Sequence, residues 1–161
     1  MATQQMAMLG GQAQQVAFYA PIYQVRLVRD GRQRITDRQV GCPADAATLL
    51  QTYLQGVDRE HFAVILLDTK NQVIGINTVA MGTLDSAQVT GREVFKAAIL
   101  ANANSIILGH NHPSGDPQPS PSDVGVTRML VAAGKALDIE VQDHIIIGEL
   151  RHVSLKESGF M

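Results

Sequence analysis

The sequence is poor in cysteine and tryptophan: Cys42 stands alone, and there is no Trp. One thiol excludes a disulfide within the chain and any cation site built from several thiolates. It also excludes the zinc deaminases, which combine His-x-Glu with paired cysteines. Neither sign of charge dominates, with 13 Lys+Arg against 15 Asp+Glu and a formal net charge of -2. That balance gives no general pull toward nucleic acid or an anionic membrane surface. Arg26, Arg29, Arg32, Arg34 and Arg38 do crowd together, and their expected role is a solvated face. No apolar run reaches the length of a membrane span. The start, MATQQMAMLGGQAQQVAFYA, lacks the basic end and continuous apolar stretch of a signal peptide. A cytoplasmic setting is therefore expected.

What is present is enough for one domain. The 161 residues are 45% hydrophobic, sufficient for a real core but not comfortably for two. Residues 1–20, rich in Gln, Ala and Met, read as a flexible tail, and residues 21–161 as a single domain. Tyr23, Val25 and Leu27 alternate with polar residues ahead of Asp30-Gly31, which predicts a hairpin. Pro43 opens a helix closed by Gly56, with Ala46, Leu49, Leu50 and Tyr53 on one face. Phe62 to Leu67 is apolar without a break, as in a strand buried on both faces, and Val73 to Ala80 returns as its neighbour. A weaker strand is expected around Thr83 to Val89. Thr90 and Glu93 have the spacing of a capping box for a helix running to about Ala103. Ser105 to Gly109 reads as a short strand, residues Val126 to Leu137 as a helix, and Ile139–Ile147 and Arg151–Leu155 as closing strands. The order predicts a mixed α/β (α+β) fold, one mixed sheet with helices packed on it.

The chemistry concentrates in His110-Asn111-His112 and the proline-broken loop that follows. Side chains two apart on an extended segment share a side, so the two imidazoles can converge on one cation. Neutral imidazole suits Zn2+, and a carboxylate commonly completes a set of three. The stiff, turning loop through Pro113, Gly115, Pro117, Pro119 and Pro121 can return Asp123 to the pair. Ser120, Pro121 and Asp123 also fit N-cap, N1 and N3 of a helix, so capping alone would account for Asp123, though the two roles are compatible. Asp116 is the competing carboxylate. Asp123 is preferred because Gly115-Asp116-Pro117 already reads as a turn. A hydrolytic site also needs a proton carrier, and Glu60 and Glu93 are the candidates. Glu93 has the capping box to serve, whereas Glu60 sits at the mouth of the most buried strand.

Together, Arg59-Glu60-His61-Phe62, Gly91-Arg92-Glu93, LGHNHPSGDPQPSPSD and Asp143-His144-Ile145-Ile146-Ile147-Gly148 resemble the RadC-like branch of the JAB/MPN (JAMM) metalloproteases, over about residues 43–156. The resemblance implies a JAB/MPN-like mixed sheet flanked by helices, with cytidine-deaminase-like layering. It implies zinc held by His110, His112 and Asp123, Glu60 as catalytic base and then acid, and Ser120 donating to the oxyanion as water attacks a carbonyl. The implied substrate is a peptide or an isopeptide-linked protein. Relatives often have Pro where this chain has Gly91, and longer RadC-like proteins carry a helix-hairpin-helix region for which these 161 residues leave no room. The alternatives are a metal-dependent or repair-associated DNA-processing factor, against which the charge balance speaks, and a non-catalytic MPN binding module, although no ligand is missing here. His144 is expected to be a packed strand histidine bonded to backbone, with support of a metal-bound imidazole as the alternative. His61 and His152 read as structural, and Cys42 as a buried or idle thiol. The sequence decides neither the scissile bond nor the oligomeric state.

Overall fold

The computed structural model describes residues 20–35, 37–82 and 89–161. Its elements are α1 (Pro43–Tyr53), β1 (His61–Leu67), β2 (Val73–Met81), α2 (Gly91–Leu100), β3 (Ser105–Asn111), α3 (Pro121–Ala136), β4 (Glu140–Ile147) and β5 (His152–Ser154). The strands form one sheet in the order β2-β1-β3-β4-β5. Among the described residues only β3 and β4 run parallel, joined through α3; the other pairs are antiparallel.

Alternation along the central strands builds two cores. Phe62, Val64, Leu66, Ile106 and Leu108 face α2 and α3, meeting Val94, Phe95, Ala98 and Leu130. Ala63, Ile65, Leu67, Ile107 and Ile145 face α1, meeting Ala46, Leu49 and Leu50. Covered on both sides, β1 reads as a continuous apolar run. The result is a three-layer α/β arrangement, the mixed sheet flanked by helices that a JAB/MPN-like fold requires. No helix among the described residues is long and apolar enough to cross a membrane.

The helix ends follow their sequence signals. Cys42 is the N-cap of α1 and Pro43 its first residue, while the Asp45 carboxylate accepts from the Gly41 and Cys42 amides at 2.9 and 3.0 Å. These hydrogen bonds, the Gly41 amide first, hold the Asp45 pKa below the usual carboxylate value. Cys42 is exposed, which removes the buried-thiol expectation. At α2 the Thr90 hydroxyl accepts from the Glu93 amide at 3.5 Å, but the Glu93 carboxylate pairs with Lys96 at 2.5 Å rather than returning to the N-cap.

Two expectations change, and a third falls almost wholly outside the described residues. Residues 20–35 form neither helix nor strand, and Tyr23, Val25 and Leu27 are exposed. An isolated hairpin is marginal in water, and among the described residues no layer covers these apolar side chains. The strand expected at Thr83–Val89 lies almost wholly outside the described residues; Val89 itself is buried and in no strand. β3 runs two residues beyond Gly109, so His110 lies within a strand.

The join between α3 and β4 depends on a missing side chain. A Cβ on Gly134 would lie 2.5 Å from the Ile139 carbonyl oxygen and 3.0 Å from Phe95 Cζ. Gly134→Ala gains about 1 kcal/mol of helix propensity but must displace backbone in a packed core, at roughly 1–3 kcal/mol. The expected net result is a lower denaturant midpoint at unchanged slope. A raised midpoint would show that the strand yields without cost.

Candidate metal centre

The site forms where β3, the loop after it and the start of α3 meet. His110 continues the row of Ile106 and Leu108 on the face covered by α2 and α3 and is wholly buried. His112 lies just past the strand, its amide donating to the Ile147 carbonyl at 2.9 Å. The turn that follows is held to the end of β4 by Gly115 N–H to His112 O and Glu149 N–H to Gly115 O. Here too a side chain is excluded, since a Cβ on Gly148 would strike the Gly115 carbonyl and lie 2.7 Å from Pro117 Cδ. Bare backbone at Gly148 lets the proline loop close over the strand end.

The loop delivers α3 with Ser120 as N-cap, Pro121 in its first turn and Asp123 at N3. Asp123 Oδ2 accepts from the Ser120 amide and from the Ser120 hydroxyl, each at 2.7 Å, and Ser120 Oγ accepts from the Asp123 amide at 3.2 Å. This capping box sets the carboxylate's direction and leaves Oδ1 facing the imidazoles. Asp123 Oδ1 lies 3.4 Å from His110 Nε2, and Oδ2 lies 3.5 Å from His112 Nε2. The two Nε2 atoms are 3.0 Å apart. One ligand atom from each of the three residues falls within 4.8 Å of the others.

This donor set fits a cation. Asp123 is 1% exposed, and its Oδ1 accepts no hydrogen bond among the described residues. A buried acceptor left unmet costs about 1–3 kcal/mol, and more when charged. His112 Nδ1 lies 2.7 Å from the Asp116 carbonyl oxygen, which can only accept, so the ring proton sits on Nδ1. In neutral His112 the Nε2 lone pair is therefore directed at His110 Nε2. A lone pair and a carboxylate oxygen beside a second imidazole nitrogen in so small a space suit a positive charge between them, and two imidazoles with one carboxylate match a metal that keeps an open position. Burial, opposed by Asp123 and assisted by His112, lowers the His110 pKa from 6.5 to about 4. Burial, then His110 and His112, drives His144 well below the ordinary value. Both rings are thus neutral near pH 7, the form that ligates.

Asp116, the competing carboxylate, takes part only through its backbone; its side chain is exposed and 4.0 Å from Arg151. Glu93 is turned to Lys96. Glu60 precedes β1, and Phe62 pairs opposite His110. Counting back two residues in this antiparallel register brings Glu60 level with His112, and Oε1 of Glu60 is withdrawn from solvent. Asn111 fixes this segment from both sides of Glu60: its Oδ1 accepts from the His61 amide at 2.8 Å, and its Nδ2 donates to the Arg59 carbonyl at 3.0 Å. Nothing in the sequence marked Asn111 for that duty except its place between the two histidines. A cleft of about 710 Å³ opens beside His112, between Gln51–Val57, residues 111–115 and Ile147–Glu149.

His144 departs from expectation. Its ring bonds to side chains, not to backbone: Nε2 lies 2.8 Å from His110 Nδ1, and Nδ1 lies 2.6 Å from Thr127 Oγ1. The cause is a register irregularity, which sets Asp143 opposite Ile107 and His144 opposite Leu108, on the face that carries His110. Phe62 packs against both rings, stacked on His110 at 6.0 Å and edge-on to His144 at 5.3 Å.

Comparison with known proteins agrees with this arrangement. Residues 40–160 match the family model described as RadC-like JAB domain. A UPF0758 protein of Chloroflexus aurantiacus is 53% identical over 132 residues, 81% of this chain and 58% of that protein. UPF0758 proteins of Desulfitobacterium hafniense and Roseiflexus castenholzii are 52% identical over 122 residues and 49% over 133, covering 76% and 83% of this chain and 54% and 56% of theirs. The chain thus spans little more than half the length of these relatives. With the matched region containing the whole sheet and the His110, His112 and Asp123 cluster, the chain belongs to the RadC-like JAB-domain family.

Proposed function

We propose that the chain is a zinc-dependent metallopeptidase or isopeptidase of the RadC-like JAMM type, acting on a peptide or an isopeptide-linked protein in the cytoplasm. The observation that carries this reading is the convergence of His110 Nε2, His112 Nε2 and an Asp123 Oδ1 that no described residue hydrogen-bonds. Those three residues would hold the metal. When bound there, Zn2+ supplies a Lewis acid that acidifies water and polarises a carbonyl.

The remaining steps belong to the chain. Glu60, level with His112 and fixed through Asn111, takes a proton from the attacking water and returns it to the leaving amine. Ser120 spends its hydroxyl proton on Asp123 Oδ2, so it orients the carboxylate first, and donation to an oxyanion requires it to exchange that hydrogen bond. The cleft beside His112 receives the substrate chain.

The test is a panel of peptides and isopeptide conjugates incubated with zinc-loaded protein. Cleavage that stops on chelation and returns with added zinc is the expected result. Cleavage indifferent to chelation would contradict a metal-dependent hydrolase.

A further inference from the structure

We propose that Thr127 and His144 are positioning residues that fix His110 as its Nδ1–H tautomer and so keep Nε2 bare for a cation. The inference deepens the metallohydrolase reading and rests on it for its consequence; hydrogen-bond direction from the Thr127 side carries the tautomer, and it leaves the 3.0 Å contact between the Nε2 atoms of His110 and His112 without a proton, as a place for a cation.

The chain of bonds starts at an atom that can only accept. The Asp123 carbonyl oxygen lies 2.6 Å from Thr127 Oγ1, and the hydroxyl donates to it. A hydroxyl has one proton, so toward His144 the Thr127 oxygen can only accept, and the 2.6 Å contact requires a proton on His144 Nδ1. Neutral His144 then carries its lone pair on Nε2. That lone pair faces His110 Nδ1 at 2.8 Å, so His110 Nδ1 must donate. The lone pair of His110 is left on Nε2, beside His112 Nε2 and Asp123 Oδ1. Each atom in the series has one role open to it, set by the one before.

Packing prevents escape. Thr127, His110 and His144 are wholly buried, so no solvent offers a substitute donor or acceptor. Phe62 lies against both imidazoles and resists ring flips. The series also closes on itself: the residue whose carbonyl sets the direction, Asp123, is the one whose carboxylate joins the cluster. Partners that fix the tautomer of a ligating imidazole typically contribute ten- to a hundred-fold to metal affinity.

Thr127→Val is the discriminating variant, since it keeps the shape and removes the hydroxyl. Without that acceptor His144 can move its proton to Nε2 and donate to His110, which turns a His110 proton toward the cation position. The experiment records imidazole nitrogen-15 spectra of metal-free protein and zinc affinity by competition with a chromophoric chelator. The expected outcome is wild-type His110 protonated on Nδ1 and bare on Nε2, with Thr127→Val shifted toward the opposite tautomer. Zinc affinity should fall roughly ten- to a hundred-fold in that variant and stay near wild type in Thr127→Ser, which keeps the hydroxyl. A wild-type His110 protonated on Nε2, or a Thr127→Val protein with unchanged tautomer and affinity, would overturn the proposal. A wild-type chain that takes up no zinc contradicts the metal reading alone; the spectra of that same protein still decide the tautomer.

Discussion

Glu60→Gln is expected to lower kcat on any cleaved substrate by about 10²–10⁴-fold, the usual worth of a positioned proton carrier. Zinc content and KM should stay close to wild type, because Glu60 is outside the His110, His112 and Asp123 cluster. The amide keeps the side chain's size and its capacity to hydrogen-bond but cannot take up a proton at neutral pH. Loss of turnover with retained metal separates a proton-transfer role from a ligand role. A variant that cleaves within a few-fold of wild type would remove Glu60 from the chemistry and shift attention to other carriers.

Acid is expected to weaken the metal-free protein from about pH 6.5 downward, starting before the carboxylates titrate. Burial holds His110 at about 4 in the folded chain, against 6.5 when exposed. Between those values the unfolded chain binds a proton that the native chain refuses, so stability falls as pH falls. The contribution is whole above pH 6.5 and declines toward pH 4. For His110 alone the loss between pH 7.5 and 4.5 is about 2–3 kcal/mol, and His144, depressed by burial in the same direction, adds to it. Denaturant unfolding in the presence of a chelator at the two pH values measures it. Equal or greater stability at pH 4.5 would mean that these rings are not held neutral.

Much of this site was legible in the sequence because its parts are local. His110 and His112 share a side through strand alternation, and the Ser120–Asp123 spacing announces a cap whose acid also turns inward. Unbroken apolar runs marked the buried strands, and Pro43 and Pro121 marked helix starts. What could not be read depends on pairing across the sheet. The irregularity at Ile106 and Ile107 that aims His144 at His110 leaves no trace in the alternation of β4 alone. Asn111 looks like a spacer until the Arg59–His61 segment is laid beside it. The Tyr23–Ile35 segment failed in the opposite way: its local pattern suits a hairpin, but a period-two pattern needs a layer to bury its apolar side, and none of the described residues supplies one.

Metal stoichiometry tests the central claim most directly. Wild-type protein and the His112→Ala variant, each equilibrated with zinc and dialysed against metal-free buffer, are compared by elemental analysis, with circular dichroism confirming that both are folded. One bound zinc per chain in the wild type and almost none in His112→Ala is the expected result. Equal zinc in both, or none in the wild type, would mean that His110, His112 and Asp123 do not hold a metal together.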